Sequence, residues 1–440
     1  MLALTAGATP AAQASRAPYA PARTKLDAAG LPPLADQMRY RAELGLPADA
    51  TVVSDLNARW ASGELAHATV EGAVFTADEE AELDAREAAA REIQHAARAY
   101  FKGARAGVFG GVYIDQETGK TVVMVTRDAA EHAAALRART NHGDRLTTRV
   151  VAFGLSDLTR VADALIATSG VSYAHADELA NHITIGLAQD SPAARSALLA
   201  SLAAADAKMV RFITAPKVEE TGVNALNAPP LKGGQRITQP FSNGQAMVHT
   251  CTSAFIAYAN VRTDAAIYVT TYYMMTAGHC DDSQGLWSQY QTYPIGRMDR
   301  TAFYSGGSDA MRIPINPADR SQYVAITATN DRHIYYRQAN TEDVLTERVC
   351  MSGATTGGER CGTLMSKAIS YTKNGMTFSG LRQATFQSNG GDSGGSVLNN
   401  STAKGVVSGN ATYSDGTVRM LYPHVHTCLQ RLGLTDVVGA

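Results

Sequence analysis

No cysteine occurs before position 251 of this 440-residue chain; all five lie beyond it. Covalent cross-links are therefore confined to the second half. Also absent is any run of about 18 apolar residues, so no transmembrane helix is expected. Charge is sparse, at 18% of residues with a formal net of −2, and forms neither a basic stripe nor a charged tail. That argues against nucleic-acid or membrane-surface partners. Aromatic residues are modest at 7%, yet 45% of the chain is hydrophobic, enough to bury an ample core in two or three domains.

The halves differ in sign. Residues 1–230 carry 22 basic and 27 acidic side chains (22 − 27 = −5); residues 231–440 carry 17 and 14 (17 − 14 = +3). Opposite signs suit two halves that dock. The N-terminal MLALTAGATPAAQAS is apolar and small and holds an A-x-A pattern at Ala12-Gln13-Ala14, but it has no positive n-region. Residues 1–14 are read as the remnant of a signal peptide whose start lies upstream. Beside an export signal, the clustered cysteines read as two disulfides and one odd thiol.

Residues 15–75 are rich in Pro, Ala and Asp and are expected to mix short helices with loop. Thr76-Ala-Asp-Glu79 fits a capping box for a long helix that ends before Gly103. A weak repeat follows. In its first copy VYIDQETGKTVVMVT reads as strand with a turn at Glu117–Gly119, and Asp128 opens a helix. In its second, HITIGLA reads as strand, and Asp190 with Ser191 opens AARSALLASLAA. Residues 76–216 are therefore expected to form a small α+β domain. Residues 217–235 are aperiodic, with Pro-Pro and Gly-Gly, and 217–232 are read as a linker that holds the processing site. From 233 to 440 helical patterns vanish until about Pro423–Leu434, and short Val/Ile/Thr/Tyr runs alternate with turn residues. That is a mainly β signature of barrel or sandwich type.

Three local motifs carry chemistry. Thr276-Ala-Gly-His-Cys280 presents His279, Ser308-Asp309-Ala-Met-Arg-Ile presents Asp309, and Gly391-Asp-Ser-Gly-Gly395 presents Ser393. Acyl transfer by a hydroxyl needs a base, and a group to orient that base. The glycines around Ser393 let the N–H groups of Gly391 and Ser393 turn toward a developing oxyanion. The order His, Asp, Ser, with separations of 30 and 84, is that of a chymotrypsin-type enzyme. Asp299 and Asp331 are alternative orienting acids. Gly391–Gly395 also matches the G-x-S-x-G elbow of α/β-hydrolases, with Asp415 and His424 or His426 to complete it. That elbow leads into a helix, whereas SVLNN and AKGVVSGN read as strands. His424-x-His426-x-Cys428 would place three ligand types on one face of a strand, so zinc is an alternative there. The preferred reading is a thiol with surface histidines, and neither metal nor cofactor is expected.

The second half resembles the streptogrisin and α-lytic protease group of bacterial chymotrypsin-fold serine proteases. The likeness rests on the three motifs, on Cys251-Thr-Ser-Ala-Phe255, on the segment Val349–Thr363, on Gly233-Gly234 and on PHVHTCLQRLGLTDV. It implies bridges Cys251–Cys280 and Cys350–Cys361. It also implies two six-stranded antiparallel β-barrels with the site between them, preceded by an α+β pro-region that assists folding, blocks the cleft and is removed by self-cleavage within the linker. The implied protein is a secreted, monomeric zymogen whose partners are protein or peptide substrates and its own pro-region. By the same resemblance the pocket for the residue before the scissile bond is walled by Gln387, Ser388, Asn389 and Gly390 and by Val407, Ser408, Gly409 and Asn410. No acid sits in it, and Val407 replaces the histidine of acid-cleaving relatives. A neutral side chain is expected there, with Asn410 placed to narrow the pocket.

Three departures stand out. Met351 occupies the place of the arginine that pairs with the acid before the nucleophile, so Asp392 is expected to pair with Arg348 or another cation. The cysteine before the nucleophile loop is missing, which leaves Cys428 without its expected partner. Ser396, not Pro, follows GDSGG. Two other readings keep the fold but not the activity: a silent protease-fold binding protein, and a protease held permanently by its own first half. Intact motifs argue against the silent form.

Overall fold

The computed structural model describes residues 31–65, 68–215, 217–219, 230–240, 248–262, 268–281, 285–289, 293–303, 308–327, 330–373 and 375–440. The expected signal remnant lies outside these, as does most of the linker. Among the described residues no helix is long and apolar enough to cross a membrane.

Two short helices, Leu34–Glu43 and Ala50–Ala61, precede the long helix Ala77–Tyr100. The long helix begins where the local chemistry satisfies its first N–H groups. Thr76 Oγ1 accepts from the Glu79 N–H at 3.2 Å, and the Glu79 carboxylate accepts from the Thr76 N–H at 3.0 Å. A cap of this kind stabilises a helix by about 1 kcal/mol.

The repeat is a repeat in three dimensions. In the first unit Phe109–Asp115 pairs antiparallel with Lys120–Val125, and the helix Ala129–Arg137 crosses to Leu146–Val150, which lies parallel to Lys120–Val125. In the second, Val171–Asp177 pairs with His182–Leu187, and Pro192–Ala200 leads on toward Val210–Ile213, parallel to His182–Leu187. Each unit buries its own core, around Ile93, Val123 and Leu136 in one and Leu158, Ile183 and Val210 in the other. The expected caps are half right. Ser191 Oγ accepts from the Ala194 N–H, but Asp190 pairs with Arg195 at 2.5 Å. Asp128 stands in the left-handed region at φ 52° and makes no side-chain bond to the helix it precedes.

Among the described residues the second half is mainly β, with short 3-10 turns at Gly278–Cys280 and Pro317–Asp319, until the α-helix Val425–Leu432, which closes on Gly433 at φ 66°. Its first module carries Ile256–Arg262, Tyr268–Thr276 and Met311–Pro314 in one sheet, and Arg236–Pro240, Val248–Thr252 and Leu286–Gln289 in another. Ile237, Met274, Trp287 and Ile313 are buried between them. The second module is a continuous sheet that includes Arg348–Gly353, Gly358–Lys373, Met376–Ala384, Ser396–Asn399, Gly409–Thr412 and Val418–Tyr422. Its core includes Val349, Met351, Leu364, Val407 and Met420.

Among the described residues two strand pairings, with an isolated parallel bridge between Tyr113 and Leu345, join the halves. Tyr173, Ala174 and His175 pair antiparallel with Tyr371, Ser370 and Ile369, which merges the second unit's sheet with that of the second module. Lys217–Glu219 adds an antiparallel edge strand to Asn410–Thr412. The sequence reading had these three residues as linker.

Candidate active site

The strand Tyr268–Thr276 delivers the chain into the short turn Gly278–Cys280 that carries His279. Met311 pairs with Thr276, so Asp309, two residues before Met311, arrives at the same end of the sheet. Ser393 lies in the loop leading into Ser396–Asn399. These three elements bring their side chains together. His279 Nδ1 lies 2.6 Å from Asp309 Oδ2, and the His279 backbone N–H donates to Asp309 Oδ1 at 2.9 Å. His279 Nε2 lies 3.0 Å from Ser393 Oγ. The Ser408 hydroxyl donates to Asp309 Oδ2 at 2.6 Å. Asp309 is 1% exposed. Burial alone would raise its pKa, but the opposing charge and hydrogen bonds of His279, helped by Ser408, hold it below the usual carboxylate range. The alternative acids are elsewhere: Asp299 binds Arg312 and Asp331 binds Lys232.

One strand braces both sides of this arrangement. Cys251 in Val248–Thr252 is bridged to Cys280, next to His279. The neighbouring Thr252 holds the Ser393 loop: its N–H donates to the Ser393 carbonyl at 2.7 Å and its hydroxyl donates to the Gly391 carbonyl. The second bridge, Cys350–Cys361, closes the hairpin from which Thr355 and Thr356 reach the same loop. Gly391 and Gly394 adopt φ of 102° and 85°, left-handed values that favour glycine. The Thr355 hydroxyl holds the Gly390 carbonyl. A trans peptide then directs the Gly391 N–H away from Thr355.

Asp392 takes no cation from Arg348. Its Oδ1 accepts from the N–H groups of Thr355 at 3.0 Å and Thr356 at 2.9 Å, and its Oδ2 accepts from the Asn389 N–H at 2.7 Å and the Thr356 hydroxyl at 2.5 Å. Three backbone donors and a hydroxyl meet the need of a buried carboxylate, and Met351 packs in the apolar core. Arg348 faces the first half of the chain. Its guanidinium meets Asp84 at 2.6 Å, Glu87 at 2.9 Å, Glu80 at 3.0 Å and Glu71 at 3.5 Å.

Of the expected pocket residues, Gln387 is exposed and its carbonyl accepts from Arg360, while Asn389 turns its amide to Thr356. Val407 is buried in the core. Ser388 and Asn410 are bound to each other by three hydrogen bonds: Ser388 N–H and Oγ to Asn410 Oδ1 at 2.8 and 3.0 Å, and Asn410 Nδ2 to the Ser388 carbonyl at 2.8 Å. Gly409 and Asn410 lie on the strand that Lys217–Glu219 joins. Sequence reasoning missed the Ser408 hydroxyl on Asp309 and the roles of Thr252, Thr355 and Thr356. The available signal was position, since these threonines sit beside Cys251 and inside the Cys350–Cys361 loop.

The other sequence-level alternatives dissolve. The segment after Ser393 enters a strand, not a helix, and Asp415 lies in an exposed turn. His424 caps the terminal helix and is fully buried, contrary to its reading as a surface residue. Its Nδ1 accepts from the His426 N–H, His426 Nδ1 lies 3.1 Å from Arg337, and Cys428 Sγ lies 3.5 Å from Ser308 Oγ. Those three side chains thus take separate partners. Cys428 is entirely buried, and burial pushes its thiol up to about 12. Among the described residues, the groupings close enough to hold a metal are Cys251 with His279 and Cys280, and Cys350 with Glu359 and Cys361. Both rely on sulfurs already spent in a bridge.

No family model matches the chain. It is similar to Streptogrisin-C of Streptomyces griseus, 35% identical over 100 residues, which covers 23% of this chain and 22% of that protein. It is similar to Serine protease 1 of Streptomyces fradiae, 26% identical over 337 residues, covering 74% and 82%. Streptogrisin-A of Streptomyces griseus matches at 28% over 170 residues, covering 37% and 51%. The chain thus spans about a fifth of the first of these, four fifths of the second and half of the third. Among solved structures, Thermobifida fusca Protease A is 26% identical, with 47% of this chain and 97% of that one covered at a TM-score of 0.37. The Cellulomonas bogoriensis chymotrypsin is 24% identical, with 48% and 98% covered at 0.37.

Proposed function

We propose that this streptogrisin-like chain is a secreted serine endopeptidase, made as a precursor whose first half occupies the cleft of the second. The observation that carries the reading is the unbroken relay from Ser393 Oγ through His279 to Asp309, at 3.0 and 2.6 Å. Ser393 Oγ attacks the scissile carbonyl as His279 Nε2 takes its proton. The Asp309 carboxylate holds the His279 Nδ1–H and stabilises the imidazolium, and Ser408 fixes that carboxylate. The N–H groups of Gly391 and Ser393 receive the oxyanion. His279 then protonates the leaving amine, and water releases the acyl group by the reverse proton path.

The precursor reading is supported by Lys217–Glu219. As the chain runs from 217 to 219 its partners run from Thr412 to Asn410, toward Ser408 and the catalytic serine. A peptide added to the edge in this direction is oriented as a substrate. Two disulfides support an oxidising, extracellular location.

The test is to express the full chain and its Ser393→Ala form and follow both by intact mass and fluorophosphonate labelling. The wild type should lose a fragment by a cut between Glu219 and Gly233 and take one label; the variant should stay whole and unlabelled. A wild-type chain that stays unlabelled even after its first half is removed by an added protease would sink the reading.

A further inference from the structure

We infer that the slot for the residue before the scissile bond is stitched shut at its mouth by Asn410 and Ser388, so that the enzyme cleaves after glycine or alanine and rejects larger side chains. This rests on the endopeptidase reading above. The argument begins with the direction of a bound peptide. A strand that joins Gly409–Thr412 as Lys217–Glu219 does runs on toward Ser408, whose hydroxyl sits on Asp309. The side chain of the residue presented to Ser393 must then enter between two segments, the one leading into the nucleophile at Ser388 and the strand Gly409–Thr412 at Asn410.

These segments are not held apart. Asn410 spans them with the three hydrogen bonds to Ser388, using its side-chain carbonyl twice and its amide once. Both residues are buried, at 7% and 3% exposed. Depth is lost as well as width. Met420 is the direct cross-strand partner of Asn410. Opposed residues in an antiparallel pair project from the same face, so the Met420 side chain stands behind the Asn410 bridge. Met420 is fully buried, within the core that includes Phe386 and Val407. Space that a leucine or phenylalanine side chain would need is therefore taken by Met420 and closed off by an amide whose polar atoms are already satisfied. Breaking those bonds to admit a large apolar group would leave the Asn410 amide and the Ser388 backbone unpaired in a buried site, which disfavours the larger substrate.

The test uses the processed wild-type enzyme on one tripeptide p-nitroanilide frame with Ala, Val, Leu or Phe before the scissile bond. The concentration of active sites is fixed by fluorophosphonate titration. Alanine should exceed leucine and phenylalanine in kcat/KM by about 100-fold or more. In Asn410→Gly, and independently in Asn410→Ala, the phenylalanine-to-alanine ratio should rise by about tenfold or more. The cut in the chain's own linker, where it depends on Ser393, should follow a small residue such as Gly222, Ala225 or Ala228. A wild-type enzyme that labels fully yet prefers leucine or phenylalanine overturns the closed slot and leaves the endopeptidase reading standing. A processed chain that takes no label overturns the endopeptidase reading itself.

Discussion

Asp309 is held by three donors, the His279 ring, the His279 backbone and the Ser408 hydroxyl, and this fixes both the ionisation and the orientation of the carboxylate. Its depressed pKa keeps it charged down to acidic pH, so the stability it contributes is present above the ordinary carboxylate range and is lost only as pH falls below it. Replacing Asp309 by Asn keeps the shape but favours the wrong histidine tautomer. The expected loss in kcat is about ten-thousand-fold, with KM little changed, measured per fluorophosphonate-reactive site. That His279, Asp309 and Ser393 would meet was legible from the chain alone because each sits in a short motif of restricted composition. The partners of Asp392 were not. The departure at Met351 was visible, but its resolution was not, because the replacement donors are backbone N–H groups of Thr355, Thr356 and Asn389, and no residue type announces a backbone donor.

The long helix Ala77–Tyr100 and the strand that starts at Arg348 meet in a buried, highly charged contact. Arg348 is 1% exposed and faces Glu71, Glu80, Asp84 and Glu87. Tyr40, Arg332, Glu359 and Arg91 stand around the same group. One guanidinium cannot neutralise four carboxylates. Although burial opposes it, Arg348 keeps Glu87 ionised, down to about 2, whereas burial pushes Glu80 up to about 7 and Glu359 up to about 7. The raised groups bind protons in the packed state that they release in the separated one. Their contribution is therefore full below about 4.5 and is lost as pH rises through about 7. Thermal melts of the Ser393→Ala precursor should show a lower Tm at pH 8 than at pH 5.5. Arg348→Ala, which strands buried carboxylates, should cost about 3–5 kcal/mol. The helix was readable because its cap is local, Thr76 to Glu79. Its partner was not, since Arg348 lies far along the chain and the sequence reading had set it against Asp392 instead.

At the scale of the whole molecule, the first half grips the second by adding strands. Lys217–Glu219 was unreadable as strand because three residues with no alternation become one only when a distant edge, Asn410–Thr412, accepts them. Val218 pairs with Ala411 in that ladder. Val218→Pro removes a backbone donor and should loosen the segment's hold on the cleft. If the segment blocks the site, the precursor carrying this change should take fluorophosphonate about tenfold faster than the unaltered precursor. An equal rate would mean that access is controlled elsewhere.

On the precursor reading proposed above, the pairing of Tyr173–His175 with Ile369–Tyr371 has a consequence if the first half is cut away. Two rows of backbone donors and acceptors are uncovered at once. On the endopeptidase reading the row at Gly409–Thr412 would be offered to peptide substrates. The row at Ile369–Tyr371, on the hairpin Gly358–Ala384, has no such use, and a bare strand edge invites stacking with another copy and aggregation. Lys367 and Lys373 flank it, and Lys367, which meets Glu178 while the halves are joined, becomes a cation on an open edge when they part. Paired lysines at such an edge repel a second copy, so on that reading the contact that joins the two halves would also leave behind a charge that keeps the freed domain from stacking.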